Sequence, residues 1–388
     1  MPEPTAPVHR SAQRFEAVLA ARGLAGRVVE LPESTRTAAE AARAVGCDLR
    51  QIVKSLVFRG GTSGRPILLL VSGGHQVDES WVVRYVGEPL RRADPEFVRG
   101  TTGYAIGGVP PLGHAEPIPT YVDYDLLELP EVWAAAGHPH AVCRLTSGEL
   151  LDLAGGRPIP VVSLPEPGPG RWVTFDCFGT LVDWKEGFAR VVRRLGLART
   201  PDEEVGLFER YLAAEKVEEA GPYRPYRDVL VRALRTAAVA VRELSEREAG
   251  ELPESVPDWP AFADVPESLG ALRAGGSRVA LLSNIDRDLL ERTVSNQRIP
   301  VDLLVTAEEV RSYKPAPPHW ARFLKKTGAA IETVVHVSAS VEYDLRTAAA
   351  MGFPTLYVAR YGPPSNPGPV RRSVPGLGDL ARVVASAP

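Results

Sequence analysis

The sequence predicts an α/β protein of two domains: a mixed α+β domain, then a Rossmann-like parallel-sheet domain carrying an inserted helical cap. Three observations point there. At 388 residues the chain is long for one hydrophobic core. The stretch Val161-Val-Ser-Leu-Pro-Glu-Pro-Gly-Pro-Gly-Arg171 is a linker stiffened by its prolines. After it, apolar runs stop on polar groups at Val173-Thr-Phe-Asp176 and Ser277-Arg-Val-Ala-Leu-Leu-Ser-Asn284. Strands ending this way put polar side chains at the carboxyl edge of a sheet, where open α/β folds bind ligands. The expected domains are 1–165 and 172–388, with the cap at about 187–262.

Composition excludes several classes. Hydrophobic content of 44% and charged content of 24% are those of an ordinary globular protein. The net charge of −3 gives no general polyanion-binding signal, and residues 1–160 hold 16 basic against 18 acidic residues. Cys47, Cys143 and Cys177 are odd in number and far apart, which suggests reduced thiols. Met1-Pro-Glu-Pro-Thr-Ala-Pro7 lacks the features of a signal peptide, and no run reaches membrane length, so a cytoplasmic protein is expected. Only six of 45 basic residues are lysines. In so Arg-rich a chain, a Lys inside a motif invites a chemical reason, because a compact ammonium differs from a guanidinium.

In the first half, residues 11–23 predict an amphipathic helix closed by Gly23, Val28–Leu31 a strand, and Thr37–Val45 a helix stopped by Gly46. Ile52–Phe58 and Pro66–Ser72 predict a hairpin around the Gly60–Gly64 turn. Lys54 lies inside the first of these strands, where a lysine ordinarily snorkels from an edge. Thr102-Gly-Tyr-Ala-Ile-Gly-Gly-Val-Pro-Pro-Leu-Gly-His114 is too rich in Gly and Pro for a helix or central strand. It reads as a rigid loop with backbone bare enough to approach a ligand, or as a structural turn.

Gly46-Cys-Asp, Ile-Val-Lys54-Ser-Leu-Val-Phe and the Gly-Pro loop together resemble the YbaK/ProX family of aminoacyl-tRNA deacylases. Trp133–Leu150 is similar to that family's closing strand and helix. The resemblance covers roughly residues 10–165 and implies a trans-editing hydrolase with the acceptor end of misacylated tRNA as partner. It implies that Lys54 orients the terminal adenosine and that Gly107, Gly108, Val109 and Pro110 hold the aminoacyl ester. His138 and His140 lie near the family's polar pocket positions, though a loop histidine is commonly just solvated.

In the second half, Val173-Thr-Phe-Asp-Cys-Phe-Gly-Thr-Leu-Val-Asp-Trp184 reads as a strand ending on Asp176 and turning at Gly179-Thr180. A helical region at about 187–250, interrupted at Gly221–Pro225, forms the cap. Ser283-Asn284 closes a second strand, Lys314 precedes a proline, and Val334–Ser340 leads into a helix carrying Asp344, stopped by Gly352. A short helix at Leu377–Ala385 closes the domain. Singly, these are turn, cap and dipole features. In this order they resemble the haloacid dehalogenase superfamily over about 172–362, and within it the type II haloacid dehalogenases.

That resemblance implies Asp176 as nucleophile, Thr180 and Ser283-Asn284 as substrate positioners, Lys314 balancing charge, and Asp344 completing the site. It also implies a cap arginine for the departing halide, with Arg210 about where it should lie. Trp320 stands where the family commonly has Tyr, and a full Ser-Ser-Asn triplet is missing around Ser338. Phosphatases of the superfamily carry an acid two residues past the nucleophile, here Phe178, and another in the fourth motif, here Ala339. These departures favour attack on an sp³ carbon without metal, the small-molecule substrate being a 2-halo acid. No cofactor is expected, and Mg²⁺ only if the second half is a small-metabolite phosphatase. A non-catalytic scaffold fused to a tRNA-binding module is the remaining alternative.

Overall fold

The computed structural model describes residues 9–32, 37–364, 366, 368–370 and 372–385. The amino-terminal stretch Met1–Pro7 therefore lies outside the described residues, as do Ser365 and Pro367 of the Pro/Gly loop that follows Arg360. The chain divides into two units, residues 1–166 with 325–328, and residues 167–324 with 329–388.

The first unit is built on a mixed sheet of eight strands: Val28–Glu30 (β1), Ile52–Gly60 (β2), Pro66–Ser72 (β3), Leu90–Arg92 (β4), Thr120–Asp123 (β5), Glu131–Ala135 (β6), Ala141–Thr146 (β7) and Arg157–Ile159 (β8). Their order is β1-β7-β6-β2-β3-β5-β8, with β4 also paired to β2. β2 and β3 form the antiparallel hairpin expected from their apolar pattern, and β3 is buried along nearly all its length. The Ala38–Val45 helix starts at Thr37 with a reciprocal capping box to Glu40 and ends at Gly46 in the left-handed region. Residues 133–150 hold two strands before their helix rather than one. Gly137 (φ 91°) turns the chain between β6 and β7, which pair antiparallel.

The second unit contains a six-stranded parallel sheet: Trp172–Phe175 (β9), Arg278–Ser283 (β10), Leu303–Thr306 (β11), Val335–Ser338 (β12), Thr355–Val358 (β13) and Ser373–Val374 (β14). The order is β11-β10-β9-β12-β13-β14. The chain begins at the centre, builds outward to β11, then returns to β9's other side, so the switch point falls between β9 and β12. Buried on both faces, β9 is apolar apart from Thr174, as parallel strands tend to be.

Between β9 and β10 lie the four helices of the insertion, Trp184–Arg194, Pro201–Glu219, Tyr226–Ala238 and Glu246–Ser255, and a fifth, Val265–Ala274, that leads into β10. The helical region is thus broken at 195–200 and 239–245 as well as at Gly221–Pro225. Thr200 and Ser245 restart helices through capping boxes with Glu203 and Glu248, local signals that the apolar spacing alone does not display. Their apolar faces merge with those of β9, β10 and β12 in one core. The segment after β12 starts as a π-helical turn, Val341–Leu345, and becomes α-helical at Arg346–Met351.

Gly187 sits in the first of these helices against Trp259, whose indole also packs edge-on to Phe178. A Cβ there would lie 2.2 Å from Trp259 Cγ. A rigid ring cannot yield as a flexible chain would, so Gly187→Ala should destabilise this unit by about 1–3 kcal/mol. A lower urea midpoint at unchanged m-value is the expected result.

Candidate functional site

Asp176 directly follows β9, and its N–H donates to the Val337 carbonyl (3.1 Å), fixing it between β10 and β12. The chain then turns at Gly179 (φ 90°), where a Cβ would approach Trp184 Nε1 to 3.2 Å. Thr180 Oγ1 donates to Asp176 Oδ2 (2.9 Å) and accepts from the Ala339 N–H (3.0 Å). Lys314 Nζ donates to Asp176 Oδ1 (2.8 Å), Asp344 Oδ1 (2.6 Å) and the Leu282 carbonyl (2.9 Å). An ammonium has three N–H donors, so Lys314 is saturated.

Asn284 holds Lys314 by its backbone, accepting the Lys314 N–H on Oδ1 (2.7 Å) and donating from Nδ2 to its carbonyl (3.1 Å). Asp344 accepts from the Ser338 hydroxyl (3.1 Å) and bonds His336 Nε2 (3.1 Å), while His336 Nδ1 bonds Thr174 Oγ1 (2.8 Å). Ser283 lines the cavity, and its carbonyl meets His319 Nε2 at 3.2 Å.

The electrostatics follow from burial. Desolvation pushes the Asp176 carboxyl up, and the Lys314 field partly offsets it. Burial also opposes the charge of Lys314, but Asp176 and Asp344 outweigh it and hold the ammonium above the ordinary lysine range. At Asp344 burial is outweighed by Lys314 and His336, and its pKa lies below the ordinary value. His319, buried and facing the Lys314 field, is depressed to about 3 and is neutral.

A cavity of about 1020 Å³ opens over Asp176 and reaches the helical insertion. Asp176, Ser283, Asn284, Lys314 and Asp344 all line it. Thr180 is buried behind the nucleophile and positions Asp176 rather than a ligand. Arg210 does not line the cavity; its Nε donates to the Ala237 carbonyl (3.3 Å) of the neighbouring helix, which corrects the expectation that it would hold a leaving halide. Phe178 and Ala339 do line the cavity, so phenyl and methyl groups stand where a metal-dependent phosphatase needs carboxylates.

Sequence reading missed His336, Glu215 and Glu219. Glu215 Oε1 accepts the Tyr211 (2.7 Å) and Tyr226 (2.5 Å) hydroxyls, and Glu219 Oε1 accepts from Asn284 Nδ2 (3.1 Å). Their i, i+4 spacing on one helix was the available signal, since it places both on one face.

In the first unit, Lys54 Nζ donates to the carbonyls of Gly73 (3.5 Å) and His75. Burial lowers its pKa, against the field of Asp123. In register, Val53 pairs with Ala134, which sets Lys54 level with Ala135 near the β6–β7 turn. The Gly-Pro loop packs on that turn. A Cβ at Gly108 would lie 2.9 Å from His138 Cα, so only glycine permits the approach. The Gly108 N–H is committed to the Ala105 carbonyl (3.0 Å), whereas Gly107 (φ 84°) supplies the turn. Val109 and Pro110 are buried, and the Pro110 carbonyl meets His114 Nε2 at 2.9 Å. His138 stacks on His9 (3.7 Å between centroids) and adjoins His140 (5.5 Å). Burial, then these two rings, lower its pKa.

A trio absent from the sequence reading backs Lys54. His75 Nδ1 contacts Asp123 Oδ2 (2.9 Å) and Nε2 contacts Asp125 Oδ2 (3.0 Å). His, Asp and Asp are also metal-ligand types, but here both ring nitrogens already face carboxylates. The hydrogen bonds to Asp123 and Asp125 raise His75 to about 9, so an imidazolium fills the place of a cation. A Ser-Gly-Gly-His run after one strand and an Asp-x-Asp after another were the only local hints.

Both units thus gather polar groups at strands and the turns beside them, where α/β sheets bind ligands, and comparison with known proteins agrees. Residues 32–153 match the aminoacyl-tRNA editing domain, and residues 171–352 match the haloacid dehalogenase-like hydrolases. Each half thus carries the domain of one family, and both are families of hydrolases. The uncharacterised protein YwhH of Bacillus subtilis (strain 168) is 33% identical over 127 residues, 33% of this chain and 80% of that protein. (S)-2-haloacid dehalogenase 4A of Burkholderia cepacia is 25% identical over 223 residues, 55% of this chain and 95% of that one. The putative Cys-tRNA(Pro)/Cys-tRNA(Cys) deacylase EbsC of Enterococcus faecalis (strain ATCC 700802 / V583) is 27% identical over 133 residues, 31% of this chain and 79% of that one. Among the described residues no helix is long and apolar enough to cross a membrane.

The raised His75 pKa carries a pH signature. A group lifted from the usual 6.5 to about 9 contributes its full stabilisation below pH 6.5 and loses it as pH rises through 9. The first unfolding transition of the whole chain should therefore weaken between pH 6.5 and 9, and His75→Gln should flatten that decline. Urea midpoints across the range make the check; a parent profile already flat would contradict the imidazolium assignment.

Proposed function

We propose that the chain is a bifunctional hydrolase: its first half deacylates misacylated tRNA, and its second half hydrolyses a small molecule through Asp176. For the first half the carrying observation is Lys54, held by two carbonyls beside the turn on which the Gly-Pro loop packs. Its ammonium would meet the terminal adenosine of the acceptor end, and the loop would hold the ester. An aminoacyl ester is already activated, so water attacks once backbone N–H groups stabilise the oxyanion. Because Gly108's N–H is taken, its neighbours Gly107 and Val109 would carry that part. EbsC, a relative named for Cys-tRNA deacylation, supports this substrate class. Lys54→Ala should lower turnover of a misacylated tRNA at least tenfold while moving the urea midpoint little; about 1.4 kcal/mol of transition-state stabilisation suffices for that factor. Equal rates in mutant and parent would sink the assignment.

For the second half the carrying observation is the buried Asp176–Lys314–Asp344 cluster, set among Phe178 and Ala339. The donor set does not fit a divalent cation. Asp176 Oδ1 and Asp344 Oδ1 both bind Lys314, and Ala339 offers a methyl where oxygen ligands are wanted. Asp176 instead attacks a saturated carbon, as in a 2-halo acid or a close relative. The C–halogen bond breaks, halide departs, and an aspartyl ester forms that water then hydrolyses at its carbonyl. Thr180 and Lys314 aim the carboxylate and balance its charge throughout. In a single turnover in ¹⁸O-water the label should enter Asp176 before product. Asp176→Asn should abolish turnover, whereas Mg²⁺-dependent release from a phosphate ester would establish the phosphatase alternative.

A further inference from the structure

We infer that the substrate of the second half is a close relative of the 2-halo acids rather than a 2-halo acid itself: a small halogenated amine whose ammonium group meets Glu219 and Glu215. This rests on the reading of Asp176 as a nucleophile toward a small electrophile and names the class of that electrophile. Among the described residues the cavity's lining holds nine carboxyl groups and four basic ones, so the question is whether any of the four is available to an anion. Lys314 has no N–H left, having spent one each on Asp176, Asp344 and Leu282. Arg193 is bound in bidentate fashion by Glu204, at 2.5 and 2.8 Å. Lys185 packs over the Tyr361 ring at 4.1 Å. Lys216 is 72% exposed at the rim, 3.9 Å from Glu342. The arginine that might have served an anion, Arg210, is turned to the Ala237 carbonyl.

The acidic side is differently placed. Glu215 is 4% exposed and Glu219 is half-buried, and both line the cavity from the Pro201–Glu219 helix. Among the described residues neither is in an ion pair. Their partners are neutral donors, the Tyr211 and Tyr226 hydroxyls for Glu215, and the Asn284 amide and Tyr343 hydroxyl for Glu219. Asn284 is also the residue that grips Lys314, so Glu219 stands one side chain from the nucleophile's own partner. Burial and the nearness of Glu215 push the Glu219 carboxyl well above its ordinary range, which is what two acids without a counter-cation must do. A ligand carboxylate here would add like charge to an uncompensated pair. A ligand ammonium would supply the missing counter-charge and three donors.

The test separates recognition from chemistry. With the intact Asp176→Asn protein, which cannot turn over, binding of propylamine and of propionate is compared by calorimetry, and then repeated with Glu219→Gln added. The expected result is preference for the amine, falling about tenfold or more when Glu219 becomes neutral, as for a desolvated charge pair. Glu219 is partly exposed, so the variant should fold, and an unchanged urea midpoint confirms it. Preference for propionate, or amine binding indifferent to Glu219→Gln, overturns the inference. In parallel, parent enzyme is offered 3-chloropropylamine and 3-chloropropionate. Turnover of neither, with amine binding intact, would instead count against the nucleophile reading alone, while turnover of the acid in preference to the amine would overturn the substrate class.

Discussion

The second half of the chain depends on one buried cation. Lys314 is 2% exposed and satisfies Asp176, Asp344 and the Leu282 carbonyl with its three N–H groups. Removing one partner from such a cluster strands an uncompensated charge in the interior, at a cost of about 3–5 kcal/mol. Asp176 comes from the end of β9, Leu282 from β10, and Asp344 from the turn after β12. A central strand flanked by strands from either side of the switch point is the arrangement that can deliver all three to one ammonium. The strand order is therefore a requirement of the charge cluster as much as of the core.

The lysine of the first half is held in the opposite manner. Among the described residues Lys54 meets two backbone carbonyls and no carboxylate, and the negative charge behind it is already spent on the His75 imidazole. Burial without a counter-ion lowers its pKa, where two counter-ions raise that of Lys314. A saturated ammonium is a structural strut that fixes a nucleophile. An ammonium resting on carbonyl dipoles retains charge to offer, which suits a ligand that is itself anionic or rich in acceptors, such as a nucleotide end.

Legibility in the sequence followed how local each signal was. Asp176 sits at a strand end, Lys314 beside a proline and Asp344 in the first helical turn after a strand, and short-range patterning reveals such places. Gly107 and Gly108 were legible because a dense Gly-Pro run has few alternatives. Arg210 shows where locality fails. On a helix each residue turns the side chain by about 100°, so an alignment slipped by one position selects another face. Arg210 is five residues before Glu215, about 500° around, and so points some 140° away from the face that carries the carboxyls. His336 and His75 were illegible for a further reason. Thr174 for one, and Asp123 and Asp125 for the other, become neighbours only through the sheets, and Asp344 meets His336 only once the turn after β12 folds back.

The same charge count links binding to reactivity. Two carboxylates and one ammonium leave the Asp176–Lys314–Asp344 cluster one negative charge in excess, in a place where burial already favours the protonated acid. A protonated Asp176 is no nucleophile, so every further negative charge brought into the cavity works against the reaction. Glu215 and Glu219 face the same cost, since desolvation raises the pKa of both and neither has a cationic partner among the described residues. A cationic ligand changes that balance in two respects. It is held by the carboxylates it helps to ionise, and its field lowers the cost of keeping Asp176 charged. An anionic ligand would need a counter-cation to do as well, and the four basic residues that line the cavity among the described residues are each committed elsewhere or sit at its rim.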